Sequence, residues 1–144
     1  MTASHVHDRA DWHLDEDFPD DLPARAATTH IGIFLGWVVA RGLESDAWRA
    51  EAAQEIARVR EGTAQGSALL ALADDALSDD LLGAEAAAFA RDYYAQQYLD
   101  DYVDLSDDAL PTIYHEPDTA AKQEQVSEIL DARLAVWRSR GGRG

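Results

Sequence analysis

Any chemistry in this chain must come from carboxylates, imidazoles and phenols, because its sequence contains no cysteine. Disulfides, thiolate metal sites and cysteine nucleophiles are thereby excluded. Between Asp74 and Asp108 stand eleven acids and one base, Arg91. The densest part interleaves Asp100, Asp101, Asp104, Asp107 and Asp108 with Tyr98 and Tyr102. Carboxylates accept bidentate arginine, and tyrosine offers rigid apolar area. These seven residues are therefore the candidate partner-binding surface. The competing expectation is a solvated acidic face, with the rings packed on a core and their hydroxyls at its rim.

The imidazoles are His5, His7, His13, His30 and His115. No two of them have the spacing of a helical metal motif. His5 and His7 fall in a loose leader, where chelation would be adventitious. A zinc or iron site built from His13, His30 and His115 with a carboxylate is the alternative reading. The acids Asp15-Glu16-Asp17 and Asp20-Asp21 lack the central glycine of a calcium loop, which excludes an EF-hand. Phosphate-cradle, dinucleotide and nucleophile-elbow motifs are all absent. Clustered carboxylates in water do not make a general acid, which needs a buried group with a raised pKa. The expectation is a non-enzymatic protein without a cofactor.

Charge narrows the partner. Twenty-eight acids against 12 bases leave a net charge of −16, with Lys122 the sole lysine. Binding a nucleic acid relies on lysine and arginine displacing counterions, so nucleic acid and anionic membranes are disfavoured. A basic protein or a divalent cation is favoured. The chain opens without a cationic stretch and following apolar run. Its longest apolar stretch, Ile31 to Ala40, is far short of the roughly 20 residues that span a bilayer. The expected location is the cytoplasm.

Helices must position these groups, since Ala, Leu, Glu and Arg dominate and β-branched residues are sparse. The expected architecture is all-α: one compact domain of about five helices over residues 11–140, a flexible leader 1–10 and a flexible tail 141–144. An acidic arm broken by Pro19 and Pro23 precedes the helices. Its Trp12, Leu14, Phe18 and Leu22 should pin it to the core. Thr28 or Thr29 should cap a buried helix running to Arg41, with Gly32 and Gly36 admitting a close neighbour. Further helices are expected over 46–60, capped by Ser45, and 68–76, capped by Ser67. Two more follow over 84–98, kinking on to 103, and from a cap at Asp118 or Thr119 to 138. No sheet is expected beyond a short strand near Trp12.

The run Trp12-His13-Leu14-Asp15-Glu16-Asp17-Phe18-Pro19-Asp20-Asp21-Leu22-Pro23, with Thr29-His30-Ile31-Gly32-Ile33-Phe34-Leu35-Gly36-Trp37, resembles the opening of a family of small acidic bacterial proteins of unknown function. Tyr98-Leu99-Asp100-Asp101-Tyr102, Leu110-Pro111-Thr112-Ile113-Tyr114-His115 and the closing helix to Trp137 extend the resemblance. It carries no catalytic residues. Such proteins are similar in size and acidity to immunity proteins of interbacterial toxin systems. The resemblance therefore implies an inhibitor that binds and neutralises a cognate toxin. The alternatives are a metal-binding protein or metal-dependent enzyme using His13 and His30, and a DNA-mimic inhibitor that fills a groove with carboxylates.

Overall fold

The computed structural model describes residues 5–141. The first part of the expected leader, 1–4, and the tail residues 142–144 lie outside the described residues.

The central element is α1 (Thr29–Ala40), whose side chains are buried from Thr29 through Val39. A helix apolar on every side has nowhere to sit except the middle of a core. Neither threonine caps it with a side chain. Thr28 Oγ1 instead donates to the Arg25 carbonyl at 2.6 Å, and a 3-10 turn over Ala24–Thr28 feeds straight into the helix. At the far end Gly42 takes φ +70°, and Leu43 N–H reaches the Val38 carbonyl at 2.9 Å. That is the left-handed closure the glycine predicts.

α2 (Asp46–Glu51) starts on Ser45, whose hydroxyl accepts from Trp48 N–H at 3.2 Å. The single helix expected here is broken at Ala52, and α3 (Ala53–Glu61) continues it to Gly62. α4 (Gly66–Leu72) lies across α1 at backbone contact. A Cβ on Gly66 would stand 1.8 Å from the Gly32 carbonyl oxygen, and one on Gly32 would stand 2.5 Å from Ser67 N. The four-residue glycine spacing of α1 thus serves close packing within the chain. Ser67 does not cap α4; its hydroxyl donates to Asp118 at 2.5 Å. The helix stops at Leu72 because Asp74 and Asp75 both adopt left-handed φ, 57° and 58°.

The chain is not all-α. β1 (Val6–Arg9) pairs antiparallel with β2 (Ala76–Ser78), with Val6 opposite Ser78 and Asp8 opposite Leu77. His7 is the extra residue of this irregular register, and both His7 and Asp8 are buried. Residues 6–9 of the expected leader therefore belong to the domain. A two-stranded ribbon is marginal by itself. Buried polar side chains hold this one, and composition gives no sign of them.

α5 (Ala84–Tyr93), a π-helical turn over Tyr94–Tyr98 and α6 (Leu99–Asp104) form one kinked rod. The inward positions 86, 89, 90 and 93 would continue at 97 and 100 in an unbroken α-helix. The extra residue of the π-turn moves them to 98, 101 and 102. Tyr98, Asp101 and Tyr102 are consequently buried, and Asp100 faces solvent.

α7 (Ala120–Ser139) is capped by Thr119, whose hydroxyl accepts from Lys122 N–H at 3.2 Å. It buries Val126, Leu130, Leu134 and Trp137. Lys122 is buried as well. Its ammonium donates to the Leu105 carbonyl at 2.9 Å, lies 3.5 Å from the Glu116 carboxylate and sits over the Tyr102 ring. Phe34, Trp37, Phe89, Tyr93, Tyr94, Tyr98 and Trp137 form a continuous aromatic core. Its ring centroids are spaced from 4.8 Å (Tyr94–Tyr98) to 6.2 Å (Tyr93–Tyr98), the range of favourable edge and offset contacts. Among the described residues no helix is long and apolar enough to cross a membrane.

Candidate functional site

The acid–tyrosine segment does not form one surface. Tyr98 is fully buried and donates its hydroxyl proton to the His30 carbonyl at 2.5 Å. Tyr102 is fully buried too. Asp101 turns inward and is neutralised from within: Arg133 donates two hydrogen bonds at 2.9 Å, Tyr93 one at 2.6 Å and Gln97 one at 3.1 Å. Burial raises the Asp101 carboxyl, but these donors outweigh it and hold it below its ordinary value. Asp100, Asp104, Asp107 and Asp108 remain exposed. Asp107 also closes a local turn by accepting from Ala109 N–H at 2.9 Å. The expectation that tyrosines share the acidic face is corrected by the π-turn, which rotates them into the core.

The imidazoles converge elsewhere. His13 ends a 3-10 turn (Ala10–His13), His30 is the second residue of α1, and Asp8 projects from β1. Asp8 Oδ1 lies 2.8 Å from His13 Nε2. Asp8 Oδ2 accepts from the Tyr94 hydroxyl at 2.6 Å and stands 3.4 Å from His30 Nε2. The two imidazoles meet edge to face, 4.5 Å between centroids. One donor atom from each of Asp8, His13 and His30 lies within 4.8 Å of the other two.

His30 is 2% exposed, and its Nε2 makes no hydrogen bond. A buried polar atom left without a partner costs about 1–3 kcal/mol, so it requires an explanation. Burial lowers the His30 pKa, and the nearby Asp8 carboxylate only partly opposes this. The ring is therefore neutral at pH 7, with a lone pair available. Burial by itself would raise the Asp8 carboxyl. Hydrogen bonds from His13 and Tyr94, with the His30 ring close by, reverse that and keep it well below the ordinary carboxylate range. Two imidazoles beside an ionised carboxylate form a set of metal-ligand types.

A fourth group orients the set. Tyr114, on a 3-10 turn over Ile113–His115, places its hydroxyl 2.8 Å from His13 Nδ1. His13 Nε2–H donates to the Asp8 carboxylate, and the Tyr114 hydroxyl donates to Nδ1. An ion at Nε2 would take that proton's place, with Nδ1–H then donating to Tyr114. Tetrahedral zinc, with bonds of about 2.0–2.2 Å, needs ligand atoms roughly 3.3–3.5 Å apart. The Asp8–His30 distance of 3.4 Å already meets that requirement. The Asp8–His13 contact of 2.8 Å must open by about half an ångström.

His115, the expected third imidazole, is not part of the cluster. Its Nδ1 meets Thr112 Oγ1 at 2.8 Å and its Nε2 meets Asp21 at 2.9 Å, so both nitrogens are engaged elsewhere. Asp8 takes the third place, a residue that sequence reasoning assigned to a loose leader. His7, expected to chelate adventitiously, is buried and bound to Asp79 at 2.8 Å. Of the apolar pins expected on the arm, Trp12 and Leu14 are corrected, whereas Phe18 packs against the core. Trp12 is 55% and Leu14 40% exposed, and Phe18 is half-buried with its ring 5.1 Å from that of Tyr114. Polar contacts hold the arm more than apolar ones do. The signal for Asp8 is pairing between strands some 70 residues apart in the chain, and no local pattern carries it.

One family, described as "Domain of unknown function (DUF7832)", matches residues 6–116. That span includes Asp8, His13, His30, Tyr94 and Tyr114. No curated protein and no solved structure matches the chain.

Proposed function

We propose, for a chain that belongs to the family of the domain of unknown function DUF7832, that it binds one divalent first-row transition-metal ion through Asp8, His13 and His30. The observation that carries this reading is the buried His30 Nε2, which has no hydrogen-bond partner and stands 3.4 Å from an ionised carboxylate. An ion at the centre of the three side chains would satisfy that atom. It would also offset the burial of Asp8 and leave at least one coordination position for water or another ligand. Two imidazoles and a carboxylate suit zinc, and equally ferrous iron. The test is zinc titration of untagged protein by calorimetry, with His30→Ala in parallel. One ion per chain is expected, with affinity at least about 100-fold weaker in the variant and an unchanged far-ultraviolet spectrum. Sub-stoichiometric binding, or equal affinity in the two proteins, would sink the reading.

A second reading is favoured by a separate observation on α6. Leu99 is 42% and Val103 49% exposed, flanked by the exposed Asp100 and Asp104. An apolar strip edged with carboxylates suits capture of a basic protein. An immunity-type inhibitor of a bacterial toxin is the finer form of this reading, and it rests on size and acidity. Its test is charge reversal, Asp100→Lys with Asp104→Lys. Partner capture at low salt should fail while the domain stays folded, and undiminished capture would place the contact elsewhere.

A further inference from the structure

The ligands of the metal reading are divided between two parts of the fold. Asp8 and His13 belong to the arm, and His30 belongs to the buried start of α1. The arm is otherwise lightly held. It enters through a four-residue strand, crosses Pro19 and Pro23, and leaves Trp12 and Leu14 largely in solvent. Beyond the β1–β2 pairing, its apolar anchors are the small Ala10 and the half-buried Phe18. The rest are polar: His7 on Asp79, Asp8 on Tyr94, Asp21 on His115, and His13 on Tyr114. A segment with few buried apolar groups opens at low free energy compared with the core.

We infer that the ion is a clasp: occupancy of Asp8, His13 and His30 decides whether residues 5–22 lie docked on the body of the domain, against β2 and the turn that leads into α1, or swing free. The inference rests on the metal reading above. Undocking the arm removes two of the three ligands at once, so an opened arm cannot keep the ion. Linkage then requires that the ion suppress opening by the factor 1 + [ion]/Kd. The opened arm would carry His13 and the acids from Asp11 to Asp21 away from the body and uncover His30 and the Tyr94 hydroxyl. The site therefore couples metal availability to which surface the domain presents.

The experiment is amide hydrogen exchange on the full chain, with free zinc raised to about 100 times the measured Kd or removed by a chelator. The informative amides are Ala10, bonded to the Asp75 carbonyl at 3.0 Å, and Asp79, bonded to the His5 carbonyl at 2.9 Å. Both should exchange about 100-fold more slowly with zinc. His13→Asn, which changes a partly exposed residue, should abolish the zinc effect without loss of α7 protection. If calorimetry shows one bound ion and these amides are unmoved, the clasp is wrong and the metal reading stands. If calorimetry shows no ion, both fall. If, with chelator present, the arm amides are already as protected as those of α7, the arm opens only with the whole fold and the clasp is again overturned.

Discussion

Two buried polar clusters in this molecule use the same materials to opposite ends. Around Asp101, a carboxylate meets Tyr93, Gln97 and a bidentate Arg133, and four hydrogen bonds saturate its two oxygens. Around Asp8, a carboxylate meets Tyr94 and two imidazoles, and one imidazole nitrogen is left over. The first is complete, and its contribution is to lock α6 onto α7. The second is incomplete in protein atoms alone. A closed network is structure, whereas a buried network one partner short is a place for a ligand.

The largest expected effect breaks the closed cluster. Asp101→Ala strips Tyr93 and Arg133 of their shared acceptor and should cost about 3 kcal/mol in urea denaturation, tempered because Arg133 is partly exposed. Zinc affinity should stay unchanged, since the two clusters share no residue. Next comes Asp8→Asn, which keeps shape but removes the charge. It should weaken zinc binding on the order of 100-fold by calorimetry, with a stability loss nearer 1 kcal/mol. A larger stability loss than that of Asp101→Ala would reverse the comparison. Tyr114→Phe is smaller still. Losing the hydrogen bond to His13 should reduce zinc affinity about tenfold, the low end for an outer-sphere partner, with little change in denaturation midpoint.

The gentlest probe is pH. Burial raises the Tyr93 hydroxyl well above its ordinary value, and Asp101 adds to the shift. The unfolded chain therefore releases that proton first. Stability from this cluster is present below about pH 10 and should fall as pH rises beyond it. Asp101 is shifted down, so its contribution is present above about pH 3.8 and should fade as pH drops through its folded value. Thermal melts across both limbs test this. A flat alkaline limb would mean that Tyr93 is not held neutral.

How much of this could be read in advance depends on how local the signal is. The burial of α1 follows from its continuous apolar sequence, and its tight neighbour from Gly32 and Gly36. The caps at Ser45 and Thr119 and the closures at Gly42 and Gly62 follow from single residues with one dominant conformational preference. The π-turn has no comparable signature. It takes Asp101 out of the expected acidic surface while Asp100 stays on it, and it decides for the core between the two expectations for Tyr98 and Tyr102. His13 and His30 are legible as candidates by residue type, and His30 also because it opens the buried helix. Asp8 was not, because its burial depends on β2. His115 looked equivalent by type and was claimed by Thr112 and Asp21.

Lys122, the chain's sole lysine, is buried between Leu105, Glu116 and the Tyr102 ring. Chemistry that seeks side-chain amines, whether acylation, ubiquitin-type conjugation or cross-linking through succinimidyl esters, finds no accessible lysine among the described residues. Mapping partners of this domain by cross-linking therefore calls for carboxylate-directed reagents, which its surface supplies in abundance.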